Sequence, residues 1–427
     1  MDFMNMKQLS KRIDGNNSQA IFLIFLCWLT YTTSYLGKLN YSANITQIID
    51  FYGINKTQAG TVPTFFFFAY GIGQVFNGVF CKRYNIKWII FLSLIVSASI
   101  NLIIAVGLNF SIMKWLWLVN GFVLSILWPT MVRLLSESLP KKALGTSSVI
   151  MGTSVAIGTV LIYGLSSLYA AFDKFKMSFY TAGIAVVIVA IVWIIFYDMA
   201  VSGAKNDREK EDGIKQCNTN IAEQVHSEKD GKNLLLISIF ILCFFAVGVN
   251  LIKDGLTTWV PSILKEEFAI SDSISILLTL FLPVLAVFGN AGALKMHKVI
   301  PDYLNHCVAV FAVIIVFVCG IIAGLTFEFI YFMFIGLVIV SFLASSLNSL
   351  ITSIFPLLMR GKVNSGLLAG VLNGFCYLGS TISSYGLGVI ADRLGWNAVF
   401  WVLIGVCTTN TVVWFGYICI KRFLNKN

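Results

Sequence analysis

Charge is scarce in this sequence. Only 12% of its 427 residues are Asp, Glu, Lys or Arg, whereas 58% are hydrophobic. Soluble domains carry roughly 25% charged residues. A soluble fold could not hide this much apolar surface from water, so the solvent for most of the chain is a lipid bilayer. The composition therefore excludes a soluble globular protein and predicts an integral membrane protein.

Groups that mark other classes of protein are also missing. The three histidines lie in or next to loops, without the spacing of a metal site and without a nucleophile–base set, so we expect no enzyme, metal or cofactor. Of the nine cysteines, eight lie in or beside apolar runs and Cys217 stands alone, which suits neither disulfides nor zinc. No ring of repeated filter residues indicates a channel. Basic residues fall between apolar runs, so no nucleic-acid partner is expected.

Twelve segments with few or no charges are each long enough to span a bilayer as a helix. They cover residues 19–44, 57–81, 88–108, 112–138, 143–170, 176–197, 233–262, 270–294, 303–325, 329–357, 363–391 and 396–420, numbered here as segments 1 to 12. This pattern predicts an all-α integral membrane protein with 12 transmembrane helices.

One polar stretch divides the chain. Residues 199–232 are rich in Lys, Glu, Asp, Asn and Gln, so they should form a mobile linker between a six-helix bundle in residues 1–198 and another in 233–427. Most of the 30 lysines and arginines lie in the termini, the linker and every second loop. By the positive-inside rule, both termini and the linker are then cytoplasmic, in a multi-pass protein of the plasma membrane.

The two halves repeat each other at nearly constant spacing. The matching pairs are Lys38 and Lys253, Asn77 and Asn290, Lys82 and Lys295, Pro129 and Pro356, and Arg133 and Arg360. Several matches in register indicate a duplicated six-helix unit. Such pseudo-symmetric bundles place a substrate site between the halves, near the middle of the membrane.

Lys38 is the only charged residue between Gly15 and Ile49. An ammonium in hydrocarbon costs at least about 2.5–3.5 kcal/mol on insertion scales, so its position calls for a function. Lys253 is its symmetry mate, and we expect both ammonium groups to face one cavity, roughly 10 Å apart, where they bind an anion. Two alternatives stay open: each lysine could snorkel to the interface, and the tyrosines near Lys38 could serve helix–helix hydrogen bonding.

Motifs in both halves resemble one known family. YLGKLNY in segment 1, KDGLTTWVPSIL in segment 7 and GFCYLGS in segment 11 are similar to motifs of the organophosphate:phosphate antiporters of the major facilitator superfamily, as are CKRYNIK, LWPTMVR and GVIADRLGW. The resemblance covers nearly all of both halves. It implies that the family's two phosphate-binding arginines fall on Lys38 and Lys253. Its cavity tyrosines fall on Tyr31, Tyr35 and Tyr377.

The chain departs from this family inside the implied site. Ser154, Gln74 and Asn250 stand where the family has a histidine, a lysine and a tyrosine. The two lysines stand where it has arginines. The planar guanidinium of arginine binds phosphate through two hydrogen bonds and keeps its proton. The ammonium of lysine is a point charge that can release a proton. A sugar phosphate and a carboxylate such as a hexuronate therefore both stay open as substrates.

Four basic residues at the ends of segments have a different predicted role. Lys82 and Arg83 follow segment 2, and Arg133 and Arg360 lie at matching helix ends, where the helix dipole favours a cation. We interpret them as topology signals or parts of a cytoplasmic gate. Lys82 also stands where the family has an acidic residue.

These observations predict a secondary active transporter for a small organic anion, working by alternating access as an antiporter or a proton-coupled symporter. Asp254, the acid next to Lys253, is either a structural partner for a cation or hydroxyl or a proton-coupling carboxylate. The expected partners are the anion and the lipid bilayer, and the chain is expected to be a monomer. The alternative function is a transporter-like membrane receptor that senses an organic anion without carrying it.

Overall fold

The chain folds into helices packed along one another. The computed structural model describes residues 18–80, 83, 85–107, 109–215, 230–286, 288–359 and 365–424, and these ranges contain no β-strand. The helices of the first half are α1 Ser18–Ala43, α2 Ile45–Tyr52, α3 Lys56–Phe80, α4 Ile86–Val106, α5 Phe110–Leu124, α6 Leu127–Ser138, α7 Lys141–Ala170 and α8 Lys176–Lys215.

The second half follows the same plan. Its helices are α9 Asp230–Phe268, α10 Asp272–Thr279, α11 Phe281–Ala286, α12 Gly289–Val299, α13 Tyr303–Thr326, α14 Ile330–Ser349, α15 Phe355–Leu358 and α16 Ser365–Leu424. A π-helical turn, Leu350–Ile354, joins α14 to α15. The backbone of Gly395 is not helical (φ 79°, ψ 175°), so α16 consists of two helices joined across a kink.

Local sequence explains where several helices begin and end. Asn85 and Asp302 lie just before α4 and α13, and their side chains accept hydrogen bonds from the backbone N–H groups of Lys87 and Asn305. These side chains satisfy N–H groups that the first helical turn leaves without a partner. Gly107 ends α4 with φ 97°, in the left-handed region that favours glycine.

Each of the twelve predicted segments falls on one or more of these helices. Nine helices in the described ranges are long and apolar enough to cross a membrane, and the number is ten if the bent pair Asp272–Ala286 and Ala291–Val299 makes one crossing. The prediction of twelve is higher for two reasons. Helix α3 carries polar side chains and is not among the nine, and α16 counts once although it covers two predicted segments.

The predicted linker begins later than expected. Helix α8 continues to Lys215, and Ala204 and Asp207 within it are buried. The Asp207 carboxylate accepts a hydrogen bond from the backbone N–H of Ala20, at the start of α1. A buried carboxylate needs such a partner, so this part of the stretch packs against the first bundle and is not a mobile linker. Residues 216–229 lie outside the described ranges.

The two halves meet closely along α3 and α16. A Cβ on Gly60 would lie 2.3 Å from the backbone oxygen of Ser384, and one on Gly388 would lie 2.8 Å from that of Lys56. Only glycine lets two helix backbones come this close. The connectivity places this contact on the face opposite the linker, so the halves are packed together there.

Candidate functional site

The ammonium of Lys38 lies among aromatic rings. Its Nζ is 4.2 Å from the ring centre of Tyr70, 4.9 Å from that of Tyr35, 5.5 Å from that of Tyr377 and 5.7 Å from that of Phe66. The residue is only 9% exposed. Ring faces attract a cation through their quadrupole but bring no negative charge. In the described part of the chain no carboxylate forms an ion pair with Lys38.

Tyrosines from three helices surround this ammonium. Tyr31 and Tyr35 of α1 are in contact, with ring centres 5.4 Å apart, and Tyr70 of α3 lies 4.6 Å from Tyr377 of α16. The Tyr70 hydroxyl faces the polar groups of Tyr31, Tyr377 and Gln74. The structure thus brings the three predicted tyrosines together with Lys38, from both halves of the molecule.

Tyr70 was not among the site residues predicted from the sequence. A periodic signal for it was present, because Tyr70, Gln74 and Asn77 recur at the spacing of one helix face. Four consecutive phenylalanines and further apolar residues flank this polar stripe on segment 2. Because of them, the segment was interpreted as uniformly apolar.

Lys253 has different surroundings from Lys38. Its Nζ lies 3.3 Å from the carboxylate of Asp254, and that carboxylate also accepts a hydrogen bond from the Ser380 hydroxyl of α16. These contacts fit the first alternative for Asp254, a structural partner for a cation or hydroxyl, and they give Lys253 a carboxylate beside it. Tyr377, which faces Lys38, and Ser380, which donates to Asp254, lie one turn apart on α16, so the three charged groups share one region of the molecule.

Three further predicted site residues use polar atoms within the protein. The Gln74 amide donates to the backbone oxygen of Ser125 (3.2 Å), and the Asn250 amide donates to Asn348 Oδ1 (2.9 Å). The Ser154 hydroxyl donates to a backbone oxygen of its own helix and is fully buried. Gln74 and Asn250 neighbour the site through Tyr70 and the helix of Lys253, whereas the hydrogen bond described for Ser154 lies within α7.

Two of the four basic residues predicted as topology signals or gate parts have contacts within the first half. Arg133 Nε pairs with Glu137 one turn along the same helix, at 2.8 Å. The guanidinium of Arg83 lies 5.5 Å from the ring centre of Phe80. Lys82 and Arg360 lie outside the described residues. The gating role of these four residues stays a prediction.

Several bonds between the halves lie at the face opposite the linker. Asp392 of α16 accepts hydrogen bonds from the backbone N–H groups of Lys56 (3.2 Å) and Thr57 (2.6 Å), and from the Thr57 hydroxyl (2.6 Å). It therefore caps the N-terminus of α3, a helix of the other half. Lys56 also pairs with Glu266 of α9 at 2.8 Å. We call this set of bonds the Asp392 cap.

A second group of ion pairs crosses the same face. Lys265 of α9 pairs with Asp272 of its own half at 2.9 Å and with Asp50 of the first half. These bonds and the Asp392 cap connect the halves on the side opposite the linker. The sequence did not indicate them, because these residues are far apart in the chain and no repeat links them.

The candidate site lies between two helical halves and is lined by basic and aromatic side chains. Residues 27–365 match the family model of the Major Facilitator Superfamily. The chain belongs to this superfamily. Its resemblance to the organophosphate:phosphate antiporters within the superfamily is also confirmed by curated relatives.

Two relatives align with most of this superfamily member. A probable hexose phosphate transport protein of Chlamydia trachomatis is 20% identical over 414 residues, which cover 90% of this chain and 87% of the relative. The glycerol-3-phosphate transporter of Bacillus subtilis is 22% identical over 420 residues, covering 93% of both chains. A shorter match, 21% identical over 169 residues, covers 40% of this chain and 38% of the membrane sensor protein UhpC of Escherichia coli.

The fold agrees with solved transporters. A bacterial homologue of the human lysosomal transporter Spinster, in an inward-facing and occupied conformation, aligns with a TM-score of 0.73 at 12% identity, covering 93% of this chain and 96% of that structure. At this identity the likeness shows the fold alone. The chain is a multi-pass membrane protein with the all-helical superfamily fold.

Proposed function

We propose that this protein is a secondary active transporter that carries a small organic anion by alternating access, with a phosphorylated sugar or polyol as its favoured substrate. The observation that carries the proposal is the ammonium of Lys38, buried among neutral rings without a carboxylate partner in the described structure. A buried cation without a counter-charge is costly, and an anionic substrate would supply that charge. The names of the aligned hexose phosphate and glycerol-3-phosphate proteins favour a phosphoryl group over a carboxylate.

The substrate anion would lie between Lys38 and Lys253. The hydroxyls of Tyr31, Tyr35 and Tyr377 would donate hydrogen bonds to it, since a tyrosine offers both an apolar face and a donor. Lys253 forms an ion pair with Asp254 in this structure. The substrate would therefore have to replace this carboxylate or share the lysine with it. Asn250, Gln74 and Ser154 would line or support the same site.

Proton coupling would follow from that replacement. A carboxylate that loses Lys253 to the substrate keeps only its hydrogen bond from Ser380, and taking up a proton would remove its uncompensated charge. Asp254 is then the coupling residue of a proton symport, whereas exchange of one anion for another leaves it unprotonated. Both modes are part of the proposal.

The membrane arrangement completes the proposal. We infer twelve crossings, with both termini and the linker on the cytoplasmic side of the plasma membrane, in a monomer that needs no cofactor and performs no enzymatic reaction. The Asp392 cap would then close the outer face, and the site would be reached from the cytoplasm. Opening of the outer face would require these bonds between the halves to break.

Binding and uptake test the proposal together. Purified protein should gain thermal stability with a hexose 6-phosphate, glycerol 3-phosphate or inorganic phosphate, because a ligand that binds only the folded state stabilises it. A hexuronate is the comparison ligand for the carboxylate alternative. Reconstituted vesicles should then accumulate the stabilising compound. Absence of stabilisation by every phosphorylated compound and by the hexuronate would contradict an organic-anion site.

The second candidate function is an organic-anion sensor, favoured by the partial match to a membrane sensor protein. A sensor would keep the two lysines and the tyrosines, because recognition needs them as much as transport does. The same pair of measurements separates the functions. Stabilisation by a phosphorylated compound without any uptake into vesicles would identify the sensor.

A further inference from the structure

A buried asparagine holds the helix that carries Lys38. Asn120 of α5 is fully buried, and its side-chain amide donates to the backbone oxygen of Gly37 at 2.9 Å. Asn101 of α4 donates to the same oxygen at 3.3 Å. Gly37 immediately precedes Lys38. Its lack of a side chain lets Asn101 approach, because a Cβ there would lie 2.9 Å from the Asn101 amide nitrogen.

The second half contains a matching arrangement. Asn348, at the end of α14, accepts a hydrogen bond from the Asn250 amide at 2.9 Å. Asn250 lies one helical turn before Lys253 on α9. Asn348 Oδ1 also accepts a hydrogen bond from the Cys376 thiol (3.4 Å), and Cys376 immediately precedes Tyr377. One amide thus contacts the helix of the second lysine and the helix of a site tyrosine.

The two asparagines occupy equivalent places in the repeat. Asn120 precedes Pro129 and Asn348 precedes Pro356 at almost the same spacing, and the two prolines are themselves a matching pair. Each asparagine belongs to the fourth predicted segment of its half, and each bonds to the first segment close to the lysine. A duplicated unit would explain why the first and fourth segments are neighbours in both halves. It would not explain why an asparagine amide makes the contact between them in both.

A hydrogen bond between helices fixes more than their distance. Each side chain leaves a helix at a fixed angle, so rotation of α1 or α9 about its axis moves the attached lysine Nζ sideways. Apolar packing in a membrane permits such rotation more readily than a directional amide bond does. Polar contacts next to the two lysines therefore restrict the rotation of the helices that carry Lys38 and Lys253.

We propose that Asn120 and Asn348 are equivalent positioning residues that orient Lys38 and Lys253 for the anion. The inference rests on the proposed function, since it assigns the two amides to the same anion site. Neither asparagine contacts the substrate in this account. Asn120 acts on Lys38 through the Gly37 carbonyl, and Asn348 acts on Lys253 through Asn250.

The test is a set of double-mutant cycles with inorganic phosphate as the titrated ligand. Asn120→Leu and Asn348→Leu remove the amides with little change of shape, and each is combined with Lys38→Gln and with Lys253→Gln. Residues that act through one another show coupling, whereas independent residues add. We expect Asn120→Leu to weaken phosphate binding about tenfold alone and less than about twofold when Lys38 is already replaced.

The crossed combinations provide internal controls. Asn120→Leu should keep its roughly tenfold effect when Lys253 is replaced, and Asn348→Leu should lose its effect only in the Lys253→Gln background. Asn410→Leu is the matched control variant, because Asn410 is a buried amide beside α9 that donates to Val406 of its own helix. It should lower the melting temperature without changing phosphate affinity.

Two substitutions keep the experiment decisive. If Asn120→Leu fails to fold, Asn120→Ser replaces it, since the shorter side chain cannot reach the Gly37 oxygen. If a lysine-to-glutamine variant binds too weakly to titrate, Lys→Arg at the same position takes its place in the cycle, because it keeps the charge but moves it.

Each result separates this inference from the proposed function. Equal effects of the asparagine substitutions in every background would show that they are only structural, and would overturn the inference while the lysine site stands. Lysine variants that bind phosphate as the wild type does would instead overturn the anion site itself, and the inference with it. Coupling confined to the matched pairs supports both.

Discussion

Lys38 and Lys253 occupy equivalent positions in the two halves but have opposite surroundings. Lys38 lies among four aromatic rings, whereas Lys253 has a carboxylate from the next residue of its own helix. The two positions should therefore respond differently to the same anion. In the proposed function, the substrate would give Lys38 a counter-charge that the described residues do not supply, and Lys253 would exchange one counter-charge for another. In the proposed cycle, Lys38 would then have a binding role and Lys253 a switching role.

Replacing either lysine by alanine should have the largest effect on this comparison. We expect a loss of about 2–5 kcal/mol in anion affinity, because the remaining lysine can no longer share the charge of the substrate. Lys253→Ala should lie at the upper end, since it also leaves Asp254 unpaired near the bound anion. Calorimetric titration with a hexose 6-phosphate measures both. Adding Asp254→Asn should recover part of the loss in the Lys253→Ala protein and none in the Lys38→Ala protein.

Asp254→Asn alone should separate binding from coupling. Without the Asp254 carboxylate, the anion no longer competes with Asp254 for Lys253. It should therefore bind more tightly, by about 1 kcal/mol or more. Net uptake into vesicles without internal substrate should lose its dependence on external pH, while exchange continues. The measurements are affinity by titration and uptake from acidic to mildly alkaline pH. Uptake with unchanged pH dependence would remove Asp254 from the coupling mechanism.

Arginine at both positions should make the two surroundings functionally alike. The variant Lys38→Arg with Lys253→Arg carries two cations that never release a proton, so the empty site stays doubly positive and returns most readily with another anion. We expect exchange to persist and net uptake to fall. Comparison of vesicles with and without internal substrate checks this. If wild-type uptake into empty vesicles is absent at every pH, plain antiport is the mechanism.

Tyr70→Phe should have the smallest effect of the four. The ring that faces Lys38 remains, so only the hydroxyl is lost, at a cost of about 0.5–1.5 kcal/mol in anion affinity. Tyr70→Leu removes the ring as well and should cost more. Equal affinities for the two variants would mean that the ring face contributes nothing to holding the ammonium.

The sequence predicted the class of protein and the positions of the charges better than their partners. Hydropathy located the helices because backbone groups in lipid must bond within their own segment. The repeat placed Lys38 and Lys253 in corresponding helices, and the stripe through Tyr31 and Tyr35 predicted one face of α1. These are properties of single segments, which periodicity and spacing can report.

Contacts that depend on side-chain reach or on two distant segments were not predictable in this way. Asp254 lies about a hundred degrees round the helix from Lys253, and spacing left its partner open, whereas in the structure the flexible lysine side chain reaches it. The burial of Asp207 depends on how α8 packs against α1. The charged composition of residues 199–232 predicted a solvated linker. Composition does not show which single acidic residue has a buried partner.

In the proposed alternating-access cycle, the Asp392 cap would have a consequence for the kinetics of opening. One carboxylate is shared by two backbone N–H groups and a hydroxyl of the opposite half, so a separation large enough to break one of these bonds breaks the others as well. The cap therefore acts as a cooperative unit, intact or absent, and disfavours half-open intermediates at this face. Salt should weaken the exposed ion pair of Lys56 with Glu266. The backbone bonds are short-ranged and will persist, so the opening rate should rise only modestly with ionic strength.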